Sequence, residues 1–237
     1  MKQPRYILAF VRHGDYDQRP NTPSALQPGA LTPIGLQQSL KAAFQLQTFI
    51  AENTIPLCSE IESSNALRAW QTADLIQSVL QVEHSNTLSV HAEKDLHERS
   101  VGVMANLTIA EIESYLAQDP RFSNPPTNWK SDSHYCLPYD GAESLMQAGK
   151  RVKNVIVRHF DELVKQNQSQ LKVMVGHGAA FRHAAHLLGI LEFEDITKLS
   201  MYHAKPLFFE YFPASGQWKK IAGEWKKRPA INISLID

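Results

Sequence analysis

The sequence predicts an α/β fold, a single-domain three-layer sandwich in which a mostly parallel central sheet is flanked by helices, and three observations point to it. Two short apolar runs, Tyr6 to Val11 and Leu171 to Val175, are bounded by polar residues and lack a helical period, as buried central strands do. Segments with a helical period separate the strand candidates, giving the order β-α-β-α-β-α-α-β-α-β-β. Each of the two best strands also runs into a histidine next to glycine, in Arg12-His13-Gly14 and Gly176-His177-Gly178. Ligands in open α/β sheets bind beyond such strand ends.

The first strand covers Arg5 to Val11 and gives way to a loop. Prolines at 20, 23, 28 and 33, with Gly29, keep the chain irregular until Thr32, an N-cap with Pro33 at the first helical position. A helix from Ile34 to about Glu52 follows, with Leu36, Leu40, Phe44 and Phe49 expected toward the core. A strand lies within Ile55 to Glu62, and a helix covers Asn65 to Leu80 with Leu67, Trp70, Ala73, Leu75 and Ile76 as its apolar positions. Thr87 to Val90 is a third strand, and Leu107 to Ala117 a helix starting at Thr108. Arg121 to Pro138, with Pro125-Pro126, is irregular and suits a lid or substrate loop carrying Trp129 and Tyr135. A helix over Gly141 to Val164, the strand Leu171 to Val175 and a helix over Ala179 to Leu188 come next. Pro206 to Phe212 and Gln217 to Ala222 close the chain as a hairpin.

Composition narrows the function classes. Of the 237 residues, 43% are apolar and 20% charged, the balance of an ordinary globular protein. Lys plus Arg and Asp plus Glu number 24 each, so no global field draws the chain to nucleic acid or an anionic membrane, and neither partner is expected. An anion site must be local, and the basic run Trp225 to Arg228 is expected to be a solvated surface. The first apolar run is too short for an export signal and leads directly into Arg12-His13. Cys58 and Cys136 lack CxxC spacing, so neither disulfide nor zinc is suggested, and a cytoplasmic protein with free thiols is expected.

A histidine at a strand end is usually structural; two at equivalent strand ends, one beside an arginine, are a different matter. Arginine presents a planar fork of donors that matches phosphate oxygens. The second histidine opens a helix, whose free N–H groups and dipole favour an anion. His183 and His186, three apart on one helix, are expected to be packing or surface residues rather than metal ligands.

At these residues the chain resembles the histidine phosphatase superfamily, which includes the cofactor-dependent phosphoglycerate mutases. Val11-Arg12-His13-Gly14 is similar to the signature of the nucleophilic histidine, and Leu31-Thr32-Pro33-Ile34-Gly35 to the following helix start. Ser63 to Ala73 is similar to the segment supplying a second arginine, Arg68, and Leu96 to Gly102 to the one supplying a proton donor, Glu98. Gly141-Ala142-Glu143-Ser144 is a loose version of a Gly-Glu-Ser helix start, and Gly176 to Arg182 resembles the second-histidine segment. The resemblance implies a phosphoglycerate mutase-like fold over residues 1–237, with 99–140 as a cap or substrate-loop insertion. It implies a histidine acid phosphatase-type phosphoric monoester hydrolase acting through a phosphohistidine on His13. Arg12, Arg68, His177 and Gly178 would hold the phosphate and Glu98 would move the proton, with neither metal nor cofactor.

The same resemblance separates hydrolysis from mutase chemistry. Mutases carry asparagine where this chain has Arg19, tyrosine at Val101 and asparagine at Ala179, and between Gly102 and Asn128 the only cation is Arg121. Hydrolysis of a phosphorylated small molecule or phosphoprotein is therefore expected, with mutase-type phosphotransfer or an inactive phosphoprotein-binding scaffold as alternatives. Arg19 either replaces the missing asparagine as a phosphate contact or points elsewhere.

Overall fold

A computed structural model describes residues 3–82 and 87–228. In chain order the elements are β1 (Tyr6–Arg12), α1 (Pro33–Asn53), β2 (Glu60–Ser64), α2 (Leu67–Gln81), β3 (Ser89–Glu93), α3 (Ile109–Gln118) and α4 (Leu145–Gln166). They continue as β4 (Gln170–Gly176), α5 (Gly178–Leu187), α6 (Phe193–Lys198), β5 (Leu199–Ser200), β6 (Leu207–Phe212), β7 (Gln217–Ala222) and β8 (Lys226–Lys227). Short 3-10 turns fall at Lys94–Leu96, Gly102–Met104 and Trp129–Ser131.

The main sheet has the order β3-β2-β4-β1-β6-β7. Its first four strands are parallel, while β6 and β7 join antiparallel as the expected hairpin. Side chains of β1 alternate between two cores: Ile7, Ala9 and Val11 meet α1 and α2, whereas Leu8 and Phe10 meet α4 and α5. Burial on both faces explains why this strand is a continuous apolar run. A smaller third core of Val101, Ile112, Leu116, Trp129 and Leu137 lies apart from the sheet.

Several helix starts follow from their caps. Thr32 accepts from Gly35 N–H at 3.1 Å with Pro33 behind it. Thr108 with Glu111 and Ser144 with Gln147 form capping boxes.

Three expectations are corrected. The buried face of α1 is Gly35, Ser39, Ala42, Ala43, Leu46 and Phe49, while Leu36, Leu40 and Phe44 are 42%, 38% and 56% exposed. Small residues let the helix approach the chain after β1 closely, so the true stripe lies about 100° round from the bulky one. Leu67 and Trp70 of α2 are likewise exposed, and its buried face runs Arg68, Ala69, Thr72, Ala73, Ile76 and Leu80. Trp129, expected on a binding loop, is 2% exposed in the third core, where its Nε1–H donates to Glu113 at 2.9 Å. The short α6 and the β5–β8 pair fell in stretches with no strong period. No helix among the described residues is long and apolar enough to cross a membrane.

Candidate active site

The register of β1 on β4 creates the site. Arg12 pairs with Gly176, and His13 N–H donates to Gly176 C=O at 3.0 Å, so His13 and His177 leave adjacent parallel strands side by side, their rings 5.1 Å apart. Gly14 N–H donates to Thr72 Oγ1 on α2, and Asp15 N–H to Gln38 Oε1 on α1. Thr32 Oγ1 donates to Asp15 Oδ2 at 2.7 Å. A Cβ on Gly35 would lie 1.9 Å from Asp15 C=O, which is why the helix start has glycine there.

His13 is 3% exposed, and Arg68 and His177 are fully buried. The Nδ1 of His13 lies 2.7 Å from Gly14 C=O, an oxygen that only accepts. The proton therefore sits on Nδ1, and Nε2 keeps a lone pair, which accepts from Arg68 Nε at 3.3 Å. Nδ1 of His177 accepts from Arg68 Nη2 at 3.3 Å, which leaves its Nε2–H for Ser64 Oγ at 2.9 Å. Burial, followed by neighbouring guanidinium charges, pushes both histidines well below the usual imidazole range; Arg12 and Arg68 act on His13, and Arg68 on His177. Both rings are neutral at neutral pH.

Arg68 reaches the centre from the first turn of α2. Its remaining donors go to the carbonyls of Gln27 at 3.0 Å, Ser24 at 2.7 Å and Ala25 at 3.4 Å, so the loop after Pro20 straps across the site. Its guanidinium lies 4.5 Å over the Tyr16 ring. Arg12 donates to Met201 C=O at 3.0 Å, and its buried Nε has no partner. Burial lowers both guanidinium pKa values, an effect that the Glu98 charge opposes. The Glu98 carboxylate caps α5, accepting from Ala179 and Ala180 N–H at 3.1 and 3.0 Å and from Arg99 N–H at 2.9 Å. A Cβ on Gly178 would come within 3.2 Å of Arg12 Cδ.

Arg12, His13, Arg68, Glu98, His177 and Gly178 thus converge, and Arg19 does not: its exposed guanidinium donates to Asn106 C=O at 2.7 Å. Glu143 is a positioning group that accepts from Ser100 N–H and pairs with Arg151, which also donates to the carbonyls of Asp95 and His97 flanking the Glu98 segment. Sequence reasoning missed three side chains. Ser64 anchors His177; His203 Nδ1 bonds His13 C=O at 3.0 Å; and His97 stacks 5.8 Å from the His177 ring. Ser64 stands at the end of β2, a position as informative as that of His13, whereas nothing local marks His203.

Glu60, Glu62 and His91 also converge, but Lys172 donates to Glu62 Oε1 at 2.6 Å, and its ammonium already holds the place of a cation. His183 and His186 bond different carbonyls, those of Ala179 and Leu191, and do not face a common ion.

The model for the histidine phosphatase superfamily (branch 1) matches residues 8–222. The chain belongs to that superfamily. Sedoheptulose 1,7-bisphosphatase of Saccharomyces cerevisiae (strain ATCC 204508 / S288c) is 27% identical over 215 residues, covering 84% of this chain and 75% of the relative. A phosphoglycerate mutase from Bacillus anthracis str. Sterne superposes with TM-score 0.68 at 17% identity, over 93% of each chain. A mycobacterial glucosyl-3-phosphoglycerate phosphatase superposes with TM-score 0.64 at 21% identity, over 91% of this chain and 97% of the other. These solved structures support the phosphoglycerate mutase-like fold, and the superfamily supports phosphatase or phosphotransfer chemistry.

Proposed function

We propose that the chain is a metal-independent phosphomonoester hydrolase that forms a phosphohistidine on His13. The observation that carries this reading is the buried, neutral His13, with Nδ1–H tied to Gly14 C=O and the Nε2 lone pair turned to Arg68. A phosphate dianion repels nucleophiles until donors spread its charge. Arg12 and Arg68 supply those donors. A charged phosphate oxygen is a stronger acceptor than a neutral carbonyl, so an entering phosphate exchanges with the carbonyls of Ser24, Ala25 and Gln27 on Arg68. The dianion also raises the pKa of His177, which then adds a donor.

In the first step the Arg68 Nε–H turns from His13 Nε2 to a phosphate oxygen, Nε2 bonds to phosphorus as the ester P–O bond breaks, and Glu98, which enters the step protonated, gives its proton to the departing alkoxide. In the second, Glu98 takes a proton from water, whose oxygen attacks phosphorus, and the P–N bond breaks to release phosphate and His13. The yeast relative is named for a sugar bisphosphate, which favours a phosphorylated small molecule over a phosphoprotein as substrate. A cytoplasmic setting is proposed on the free thiols Cys58 and Cys136.

Hydrolysis is favoured over mutase phosphotransfer by the clamp positions: Arg19 points to Asn106, Val101 is buried in the third core, and Ala179 presents only its N–H to Glu98. Wild-type protein should hydrolyse p-nitrophenyl phosphate in excess EDTA and show negligible isomerisation of 3-phosphoglycerate primed with 2,3-bisphosphoglycerate. Loss of hydrolysis with chelator, or isomerisation at a comparable rate, would refute the reading.

A further inference from the structure

Two buried polar atoms beside His13, Nε of Arg12 and the hydroxyl of Tyr16, have no hydrogen-bond partner among the described residues. Arg12 already belongs to the proposed phosphate site, whereas the mechanism above gives Tyr16 no part. A buried hydroxyl without a partner costs free energy, so one kept next to a nucleophile marks the place of a ligand atom.

The Tyr16 ring is held on three sides. The Arg68 guanidinium lies over it at 4.5 Å, and it meets the His13 ring at 87° with the centroids 5.2 Å apart. Gly29 closes the third side, where a Cβ would come within 3.2 Å of Tyr16 Cδ2. Bridge pairing of Tyr16 with Leu31, and Asp17 N–H donating to Ala30 C=O at 2.9 Å, tie the loop down at the same level. A donor fixed in this way needs no reorganisation when the reaction occurs.

Neighbouring polar side chains of the loop turn elsewhere: Asp15 accepts from Thr32 at 2.7 Å, Gln18 donates to Thr22 C=O at 3.4 Å, and Arg19 to Asn106 C=O at 2.7 Å. Tyr16 turns inward and is 5% exposed. Burial holds its pKa above the usual phenol value against the pull of Arg68, nearby Ser24 and Arg12, and the Glu98 charge adds to the rise. The hydroxyl thus sits in the joint field of three side chains of the proposed site, and it keeps its proton at neutral pH.

We infer that Tyr16 is a further catalytic residue, whose hydroxyl donates to a non-bridging oxygen of the phosphoryl group while Nε2 of His13 attacks phosphorus. The inference rests on the hydrolase reading above. Tyr16 gives up no proton and forms no covalent bond. Being neutral, it orients the phosphoryl group without adding to the positive field that already depresses the pKa of His13.

The test is Tyr16→Phe in the full chain, which keeps the ring and removes the hydroxyl, assayed with p-nitrophenyl phosphate and ethyl phosphate and by competitive inhibition with inorganic phosphate. The expected result is kcat/KM about ten- to hundredfold lower for both esters alike, the size of a hydrogen bond to a charged group, with inorganic phosphate bound about tenfold more weakly. Thermal stability should be unchanged or higher, because the hydroxyl makes no bond within the protein. A loss confined to ethyl phosphate would place Tyr16 at the leaving group and overturn the phosphoryl contact. Full activity with unchanged phosphate inhibition would overturn it too, as would activity lost in step with stability, which would make the hydroxyl structural. If the wild-type protein hydrolysed neither ester, the hydrolase reading would fall first and this inference with it.

Discussion

At the scale of single residues, the site depends on two tautomers fixed by groups that can only accept or only donate. Gly14 C=O sets the proton of His13, and the Arg68 guanidinium sets that of His177. Both imidazoles have depressed pKa values, so they should stay unprotonated as pH falls past 6.5, the ordinary histidine value. An NMR titration following the His13 ring should find its midpoint below that of an exposed histidine; a midpoint at or above 6.5 would contradict the argument that burial and the two guanidinium groups keep the ring neutral. Arg68 cannot be replaced by lysine, which lacks the planar fork that reaches His13, His177 and three carbonyls together. Arg68→Lys should lower kcat/KM by about 10²- to 10³-fold, the loss typical of a pre-positioned charge-stabilising donor. A loss below about threefold would remove Arg68 from the site.

At the scale of elements, the nucleophile's loop is set by how closely α1 starts beside it. Gly35→Ala places a Cβ 1.9 Å from Asp15 C=O, so backbone must shift. Overpacking of this kind costs about 1–3 kcal/mol, and because Asp15 follows His13-Gly14, urea unfolding and kcat/KM should both register it. Unchanged activity with reduced stability would show the loop and helix to be separable. Trp129 calls for a different expectation from that of a substrate-contacting aromatic. Its burial in the third core predicts that Trp129→Ala loosens residues 121–138, read as faster limited proteolysis there, with a stability cost of about 3–5 kcal/mol. Unchanged proteolysis would show that the indole does not anchor the segment. The sequence could not reveal this, because a lone tryptophan among prolines has no period to assign it a face. The α1 stripe misled for a related reason: bulk marks Leu36, Leu40 and Phe44, but close approach selected Gly35, Ser39 and Ala42.

At the scale of the whole molecule, the sheet's centre was legible because both faces of β1 and β4 are buried, leaving uninterrupted apolar runs that end at the chemistry. Arg12, His13 and His177 were legible because they stand at the ends of the two best strands, whereas Arg68 and Glu98 were legible only through the resemblance of their segments to the family. His203 was not, since it comes from a distant segment that only the fold brings against His13. The fold also sets a pH dependence of stability. His13, His177 and His183, the last pushed down to about 4 chiefly by burial, bind protons more readily unfolded than folded. Their contribution is complete above about 6.5 and is lost as pH falls toward 4, with His91, raised by Glu62, opposing it in part. The urea midpoint should therefore drop between pH 7 and pH 5, and a rise would mean that these rings are accessible to protons in the folded state.

The most direct test of the central claim is rapid-quench labelling with a phosphorus-radiolabelled substrate in the Glu98→Gln protein, in which loss of the base should slow hydrolysis of the intermediate. An acid-labile, alkali-stable phosphate on the peptide containing His13, absent in His13→Ala, is the predicted result; label on the His177 peptide, or hydrolysis with no protein-bound phosphate at any time, would contradict it.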